Sequence, residues 1–122
     1  MKNRFLKIPL INSKKGIIGH LEKKIPFRIK RIFFKYNFKE SGGHTNLKTK
    51  MLLICLIGKI QVLIKPNKSK MEKYIMNKPN KALYIKNNEW RKILSKNKKT
   101  IILILASEKY SLKDYKWLSM KI

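Results

Sequence analysis

From Phe27 to Phe38 the chain reads FRIKRIFFKYNF, with Phe27, Ile29 and Phe33 on one face of an extended segment and Ile32, Phe34, Tyr36 and Phe38 on the other. Apolar residues on both faces predict a long strand, partly buried on both sides. The next segment, Glu40–His44 (ESGGH), predicts a turn, because Gly42 and Gly43 adopt positive φ without a Cβ penalty. Met51–Ile57 and Ile60–Lys65 flank Gly58-Lys59, the pattern of a tight hairpin, and Pro66–Lys70 is a polar turn. Glu72–Met76, Ala82–Ile85, Trp90–Leu94 and Thr100–Ala106 predict four more strands, separated by connections of Asn, Lys and Pro. Gly19 and His20 fall in a first hairpin near the N-terminus. Ser111 stands where it would N-cap a short final helix over Leu112–Leu118, with Asp114 in its first turn. Seven or eight strands spaced about ten residues apart, with almost no helix, predict an all-β sandwich or a barrel-like jelly roll. No repeat, low-complexity tract or linker interrupts residues 1–122, so one domain is expected.

Composition narrows the class. Ile, Leu, Val and the aromatics are too plentiful for a disordered tail. The longest apolar runs, Met51–Ile57 and Ile101–Ala106, fall far short of the roughly 20 residues of a spanning helix. Lys7 breaks the first apolar stretch and no small-residue cleavage site follows it, so a secretion signal is not expected either. A single cysteine, Cys55, excludes a disulfide framework and a Cys-based zinc site. The expectation is a soluble, cytoplasmic protein with no membrane partner.

The charge is large: 31 Lys+Arg against 6 Asp+Glu, a formal net +25. Such a balance usually signals a polyanion partner. Here 27 of the basic residues are Lys, only 4 are Arg, and they run from Lys2 to Lys121 without a dense block. Lys, Asn and Ile together make up 55 of the 122 residues, the skew of an A- and T-rich coding sequence. That skew would enrich Glu as well, so the shortage of acids has no explanation from composition. Scattered, Arg-poor charge is a weak signal for nucleic-acid reading, and nucleic acid is not the expected partner.

Candidate chemistry is sparse. Two histidines, His20 and His44, lack the neighbouring His and carboxylate of a cupin-type metal site, so no metal is expected. His44 follows two glycines and leads into a strand; it either points into a barrel mouth or sits on a surface turn. His20, beside Gly19, reads as a surface turn residue, and Cys55 within MLLICLI as a buried structural thiol. No Gly-rich phosphate loop, Ser-His-Asp order or carboxylate pair is present, and Tyr36, Tyr74, Tyr84 and Trp90 read first as core or wall residues. Taken alone, these residues name no function.

Three stretches together do. IPFRIKR leading into Ile32–Asn37, then GGHTNLKTKMLLICLIGKIQVLI, then NKPNKALYIKNNEWRKILSKNKKTIILILASEKYSLKDY, resemble the sugar 3,4-ketoisomerase cupins of the WxcM-like group, which act on dTDP-4-oxo-6-deoxyglucose. The resemblance spans about residues 12–117 and is strongest in ICLIGKIQVLI, NKPNKALYI and LASEKYSLKDY. It implies a cupin double-stranded β-helix with a short C-terminal helix, commonly dimeric, holding a dTDP-sugar in the barrel. The implied reaction moves a ketone from C4 to C3: a base removes the C3 proton and reprotonation at C4 completes the shift. The expected place is deoxysugar and surface polysaccharide biosynthesis, with no cofactor.

The polar residues depart from the family pattern. Where it usually shows R-G-x-H-A-H-K, this chain has Ser41-Gly42-Gly43-His44-Thr45-Asn46-Leu47, keeping the first histidine and losing the arginine and the second histidine. D-x-R-G becomes Ser13-Lys14-Lys15-Gly16, the Y-Y pair becomes Phe33-Phe34 with Tyr36 nearby, and G-V-W-H becomes Asn88-Glu89-Trp90-Arg91. The resemblance thus implies His44 as acid/base with Tyr36 at the catalytic centre. It implies Asn46 on the sugar or enediolate, Lys15 on the diphosphate, and Trp90 and Arg91 at the pocket. Asn46 cannot carry a proton at neutral pH, and Lys15 lacks the bidentate guanidinium fork. The alternative is a weakened or inactive cupin that binds a nucleotide sugar or a partner subunit; a basic nucleic-acid binder is a third class.

Overall fold

The computed structural model describes residues 3–116. Its strands are β1 (Phe5–Lys7), β2 (Leu10–Ser13), β3 (Gly16–Gly19), β4 (Arg31–Tyr36), β5 (Glu40–Asn46), β6 (Met51–Ile57), β7 (Ile60–Lys65), β8 (Glu72–Met76), β9 (Lys81–Ile85), β10 (Trp90–Leu94), β11 (Ile101–Ala106) and β12 (Tyr115–Lys116). Two five-stranded antiparallel sheets, ordered β1-β9-β6-β11-β4 and β12-β5-β10-β7-β8, face each other, and β2 and β3 form a separate hairpin. The strand spacing left an all-β sandwich or jelly roll, and the jelly roll implied by the family resemblance is present. Among the described residues no helix is long and apolar enough to cross a membrane.

Strand alternation builds the core. Met51, Leu53 and Cys55 of β6, Leu83 and Ile85 of β9, and Ile102 and Ile104 of β11 point inward from one sheet. They meet Val62 and Ile64 of β7, Tyr74 and Met76 of β8, and Ile93 of β10 from the other. The alternate β6 residues Leu52 and Ile54 are buried on the outer face beneath Ile8, Leu21, Ile25, Phe27 and Ile29 of the N-terminal segment, while Leu56 and Ile57 at the strand's end are exposed. The first five residues of MLLICLI are uniformly apolar because that part of the strand is covered on both sides.

Four local expectations are corrected. The strand predicted over Phe27–Phe38 is confined to Arg31–Tyr36. Phe27 and Ile29 instead cap the outer sheet face, Phe27 lying 6.3 Å from the Tyr84 ring, and Ile32, Phe34 and Tyr36 are more than 60% exposed. Glu40–His44 is strand, not turn. Gly58-Lys59 makes no hairpin, since β6 and β7 lie in opposite sheets; it is a corner between layers. There Gly58 takes φ +93°, and a Cβ would lie 2.9 Å from the Thr100 Cα. The predicted final helix is one 3₁₀ turn, Leu112–Asp114, followed by β12; Ser111 makes no side-chain cap, and residues 117 and 118 lie outside the described residues.

Candidate active site

The site is set by a one-residue irregularity in β5. Along the β5–β10 pairing Leu94 faces Glu40, Ile93 faces Ser41 and Lys92 faces Gly42, but Arg91 faces His44, leaving Gly43 as an extra residue. Gly42 and Gly43 take φ of +88° and +80°, and a Cβ on Gly42 would lie 2.9 Å from the Arg91 carbonyl oxygen. This is a β-bulge. Cross-strand partners share a face, and Ile93 belongs to the core, so an unbulged strand would turn Gly43 inward and His44 outward. The extra residue reverses that, and His44 and Asn46 join Arg91 on the inner face. The two glycines are therefore in the backbone state expected of them, inside a strand rather than in a turn.

Asn46 is the hub of the resulting network. It is fully buried, and its Oδ1 accepts from Arg91 Nη1 at 2.5 Å and lies 3.1 Å from His44 Nε2. Its Nδ2 donates to Asp114 Oδ2 at 2.9 Å. Asp114 also accepts from the Lys48 main-chain N–H at 2.5 Å and from the Thr49 hydroxyl. Arg91 spends its other donors on the carbonyls of Glu89 (3.0 Å) and Lys86 (3.3 Å), with Nη1 3.5 Å from Met51 Sδ. The His44 ring packs on Tyr115, centroids 4.6 Å apart.

This wiring dictates protonation. Asp114 can only accept from Asn46 Nδ2, so the amide oxygen must face Arg91 and His44, and His44 Nε2 must carry hydrogen to bond it. Burial pushes the His44 pKa below its usual 6.5, and the Arg91 charge pushes the same way, against the Gly42 main chain, Asn46 and Asp114. The ring is thus neutral at neutral pH, with Nε2 carrying the hydrogen that faces Asn46 Oδ1. Burial lowers the Arg91 pKa to about 10, which leaves it charged. Burial raises the Asp114 carboxyl, but hydrogen bonds from Thr49, Asn46 and the Lys48 main chain outweigh it and hold the group below 3.8.

Only part of the expected residue set is assembled here. His44, Asn46 and Arg91 are together, but Asn46 and Arg91 are buried and spend their polar atoms on protein partners. Through the Asn46 amide oxygen both are linked to the His44 ring. Tyr36 stacks on Phe34 (centroids 6.2 Å apart) on the exposed outer face of β4. Lys15 sits in the turn of the β2–β3 hairpin, its N–H bonded to Ser13 Oγ. Trp90, expected to line the sugar pocket, lies on the opposite face of β10 from Arg91 and His44, because successive strand residues alternate faces. Asp114, Thr49 and Tyr115 were missed as members of the network. The available signal was scarcity: Asp114 is one of six acids in a chain with 31 cations.

Comparison with known proteins agrees with this architecture. A family model described as FdtA, WxcM-like, C-terminal, matches residues 1–118. The TDP-4-oxo-6-deoxy-alpha-D-glucose-3,4-oxoisomerase of Aneurinibacillus thermoaerophilus is 26% identical over 120 residues, 94% of this chain and 86% of that protein. The solved WlaRA TDP-fucose-3,4-ketoisomerase of Campylobacter jejuni is 36% identical, with TM-score 0.84 over 93% of this chain and 87% of that one. The QdtA 3,4-ketoisomerase of Thermoanaerobacterium thermosaccharolyticum was solved as a histidine-to-asparagine mutant with TDP-4-keto-6-deoxyglucose; it is 29% identical, TM-score 0.85, covering 97% and 90%. With the family model matched over residues 1–118 and the fold shared over nearly its whole length, the chain belongs to the WxcM-like family of sugar 3,4-ketoisomerases.

Proposed function

We propose that this protein is a cytoplasmic 3,4-ketoisomerase of TDP-4-oxo-6-deoxy sugars, serving deoxysugar synthesis for surface polysaccharide through a single cupin domain. The observation that carries the reading is the bulge that turns a neutral His44 inward, in a chain 36% identical to a TDP-sugar ketoisomerase. His44 takes the C3 proton, made acidic by the C4 carbonyl; the C3–H electron pair becomes the C3–C4 double bond and the carbonyl π pair moves onto O4, giving an enediolate. The O3 proton passes to O4, the O3 pair re-forms a carbonyl at C3, and the double-bond pair takes the proton back from His44 at C4, leaving a C3 ketone and a C4 hydroxyl. A neutral imidazole held below its usual pKa accepts protons near pH 7, and the Arg91 charge behind it favours the developing anion.

A second reading, sugar binding without turnover, is favoured by the same network. Asn46 occupies His44 Nε2, Nδ1 is buried, and the relative's histidine-to-asparagine mutant was crystallised with its sugar. Incubation with TDP-4-oxo-6-deoxyglucose in D₂O separates the two. Deuterium entering C3 or C4 with formation of 3-keto product, both lost in His44→Ala, supports isomerisation. Binding of TDP-sugar without exchange establishes the second reading.

The functional unit is proposed to be a homodimer. Leu10, Ile11, Ile17 and Ile18 of the β2–β3 hairpin are all exposed, and a two-stranded hairpin is marginal in water without a surface to pack on. The exposed Ile32, Phe34 and Tyr36 of β4 offer such a surface on a second copy, and packing there carries Lys15 to that copy. Sedimentation at micromolar concentration should give a dimer that Phe34→Lys dissociates; a monomeric parent protein refutes this.

A further inference from the structure

The ketone shift moves two protons, and His44 carries one of them. While the ring takes a proton from C3 to C4 it cannot also take the O3 proton to O4, since one of its nitrogens faces the Asn46 amide oxygen. A hydroxyl that gives a proton to O4 and takes one from O3 completes the reaction. One group serves both oxygens, because they sit on adjacent carbons. Tyr36, the tyrosine expected at the catalytic centre, is on the exposed outer face of β4, and Phe33, which packs on the core from the same strand, has no hydroxyl.

Tyr115 meets the requirement from the other sheet. It pairs with Asn46 across β12 and β5, and cross-strand partners share a face, so it stands on the inner face with Asn46 and His44. Its ring centroid lies 4.6 Å from that of the His44 imidazole, and its side chain is only half-buried. Tyr110 packs against it, centroids 5.8 Å apart, and the preceding Asp114 is bonded to Asn46, Lys48 and Thr49. The ring is thereby tied to the network that orients His44. Burial disfavours the Arg91 cation, while Glu89, Asp114 and an ionised Tyr115 oxygen favour it. The same attraction works in reverse, so Arg91 offsets negative charge that builds on that oxygen.

Resting on the isomerase reading, we propose that Tyr115 is the second catalytic residue of this site and passes the hydroxyl proton between the two oxygens. As His44 takes the C3 proton, the C3–H pair forms the C3–C4 double bond, the carbonyl π pair moves onto O4, and O4 takes the Tyr115 proton. The Tyr115 phenolate then takes the O3 proton, and the O3–H pair forms the C3 carbonyl. The double-bond pair collects the proton from His44 at C4. Both residues end in the state in which they began.

Turnover of TDP-4-oxo-6-deoxyglucose by Tyr115→Phe tests this, because phenylalanine keeps a ring against His44 and removes only the hydroxyl. The expected result is a kcat lowered about a hundredfold, with KM within about threefold of the parent's. A second measurement separates chemistry from packing. With 3-fluorotyrosine in place of Tyr115 the shape and the hydroxyl stay but the phenol is a stronger acid, so the alkaline limb of the kcat profile should move to lower pH. A side chain that only packs would leave that limb where it was. Unchanged turnover in Tyr115→Phe, a loss confined to KM, or an alkaline limb that fluorination does not move overturns the assignment and leaves the isomerase reading standing. A parent protein that binds TDP-sugar but neither exchanges nor isomerises it overturns both.

Discussion

Replacing Asn46 by Leu tests the network around His44 most directly. Leucine is close to asparagine in size but offers no polar atom. The change removes a 2.5 Å bond to a charged guanidinium, a 2.9 Å bond to a carboxylate and a 3.1 Å bond to a neutral imidazole. Bonds to charged groups contribute about 1.5–3 kcal/mol and neutral ones about 1, which bounds the gross loss near 7 kcal/mol. Two effects reduce it: Arg91 keeps the Glu89 and Lys86 carbonyls, and Asp114 keeps Lys48 and Thr49. Burying the added apolar surface returns about 1 kcal/mol. The expected net loss is about 3 kcal/mol, read as a fall of roughly 2 M in the urea midpoint at unchanged m. Two-bond ¹H–¹⁵N NMR should show His44 leaving the Nε2–H form for a tautomer mixture. A loss below about 1 kcal/mol with His44 still held as Nε2–H would refute the claim that Asn46 sets the ring's proton.

Other outcomes follow from the same geometry. His44 and Asp114 both have folded-state pKa values lowered from 6.5 and 3.8, so each contributes stability fully above that value and loses it as pH falls through the folded one. Urea midpoints should therefore decline below pH 6.5, with His44→Gln flattening the upper part of the decline and Asp114→Asn the lower; profiles that superimpose on the parent's would refute this. Gly58→Ala forces a Cβ against Thr100 at φ +93° and should cost about 3 kcal/mol, seen as a melting temperature lowered by roughly 10 °C. Arg4→Ala strips the buried Glu89 of its two-bond clamp (2.7 and 2.5 Å) and should cost about 3–5 kcal/mol in chemical denaturation. Asn46→His supplies a proton-carrying ring where the family pattern has one, and deuterium exchange at the sugar should rise at least about tenfold.

Regular strands were legible where packing is local. Glu72–Met76 and Trp90–Leu94 were bounded correctly, and Ala82–Ile85 and Thr100–Ala106 to within one residue, because apolar alternation flanked by Asn and Pro directly reports a half-buried strand. The errors fall where two layers meet. Gly58-Lys59 has the composition of a hairpin turn, yet it joins opposite sheets, and nothing within two residues distinguishes those cases. FRIKRIFFKYNF was overextended because Phe27 and Ile29 are apolar for a different reason, covering the outer face of a sheet whose strands lie elsewhere in the sequence.

For the site, the chain by itself determined most of the core strands but not β5 or β12, and it determined the family and the presence of one histidine beside two glycines. These depend on residue type and short-range order. Tertiary structure alone decided which way that histidine faces, since a single unpaired Gly43 reverses every side chain beyond it. It also decided that Asn46 and Arg91 stand behind His44, and that Trp90, one residue away, belongs to another face. Asp114 lies 68 residues from Asn46, and only the pairing of β12 with β5 brings the carboxylate to the amide that orients the ring.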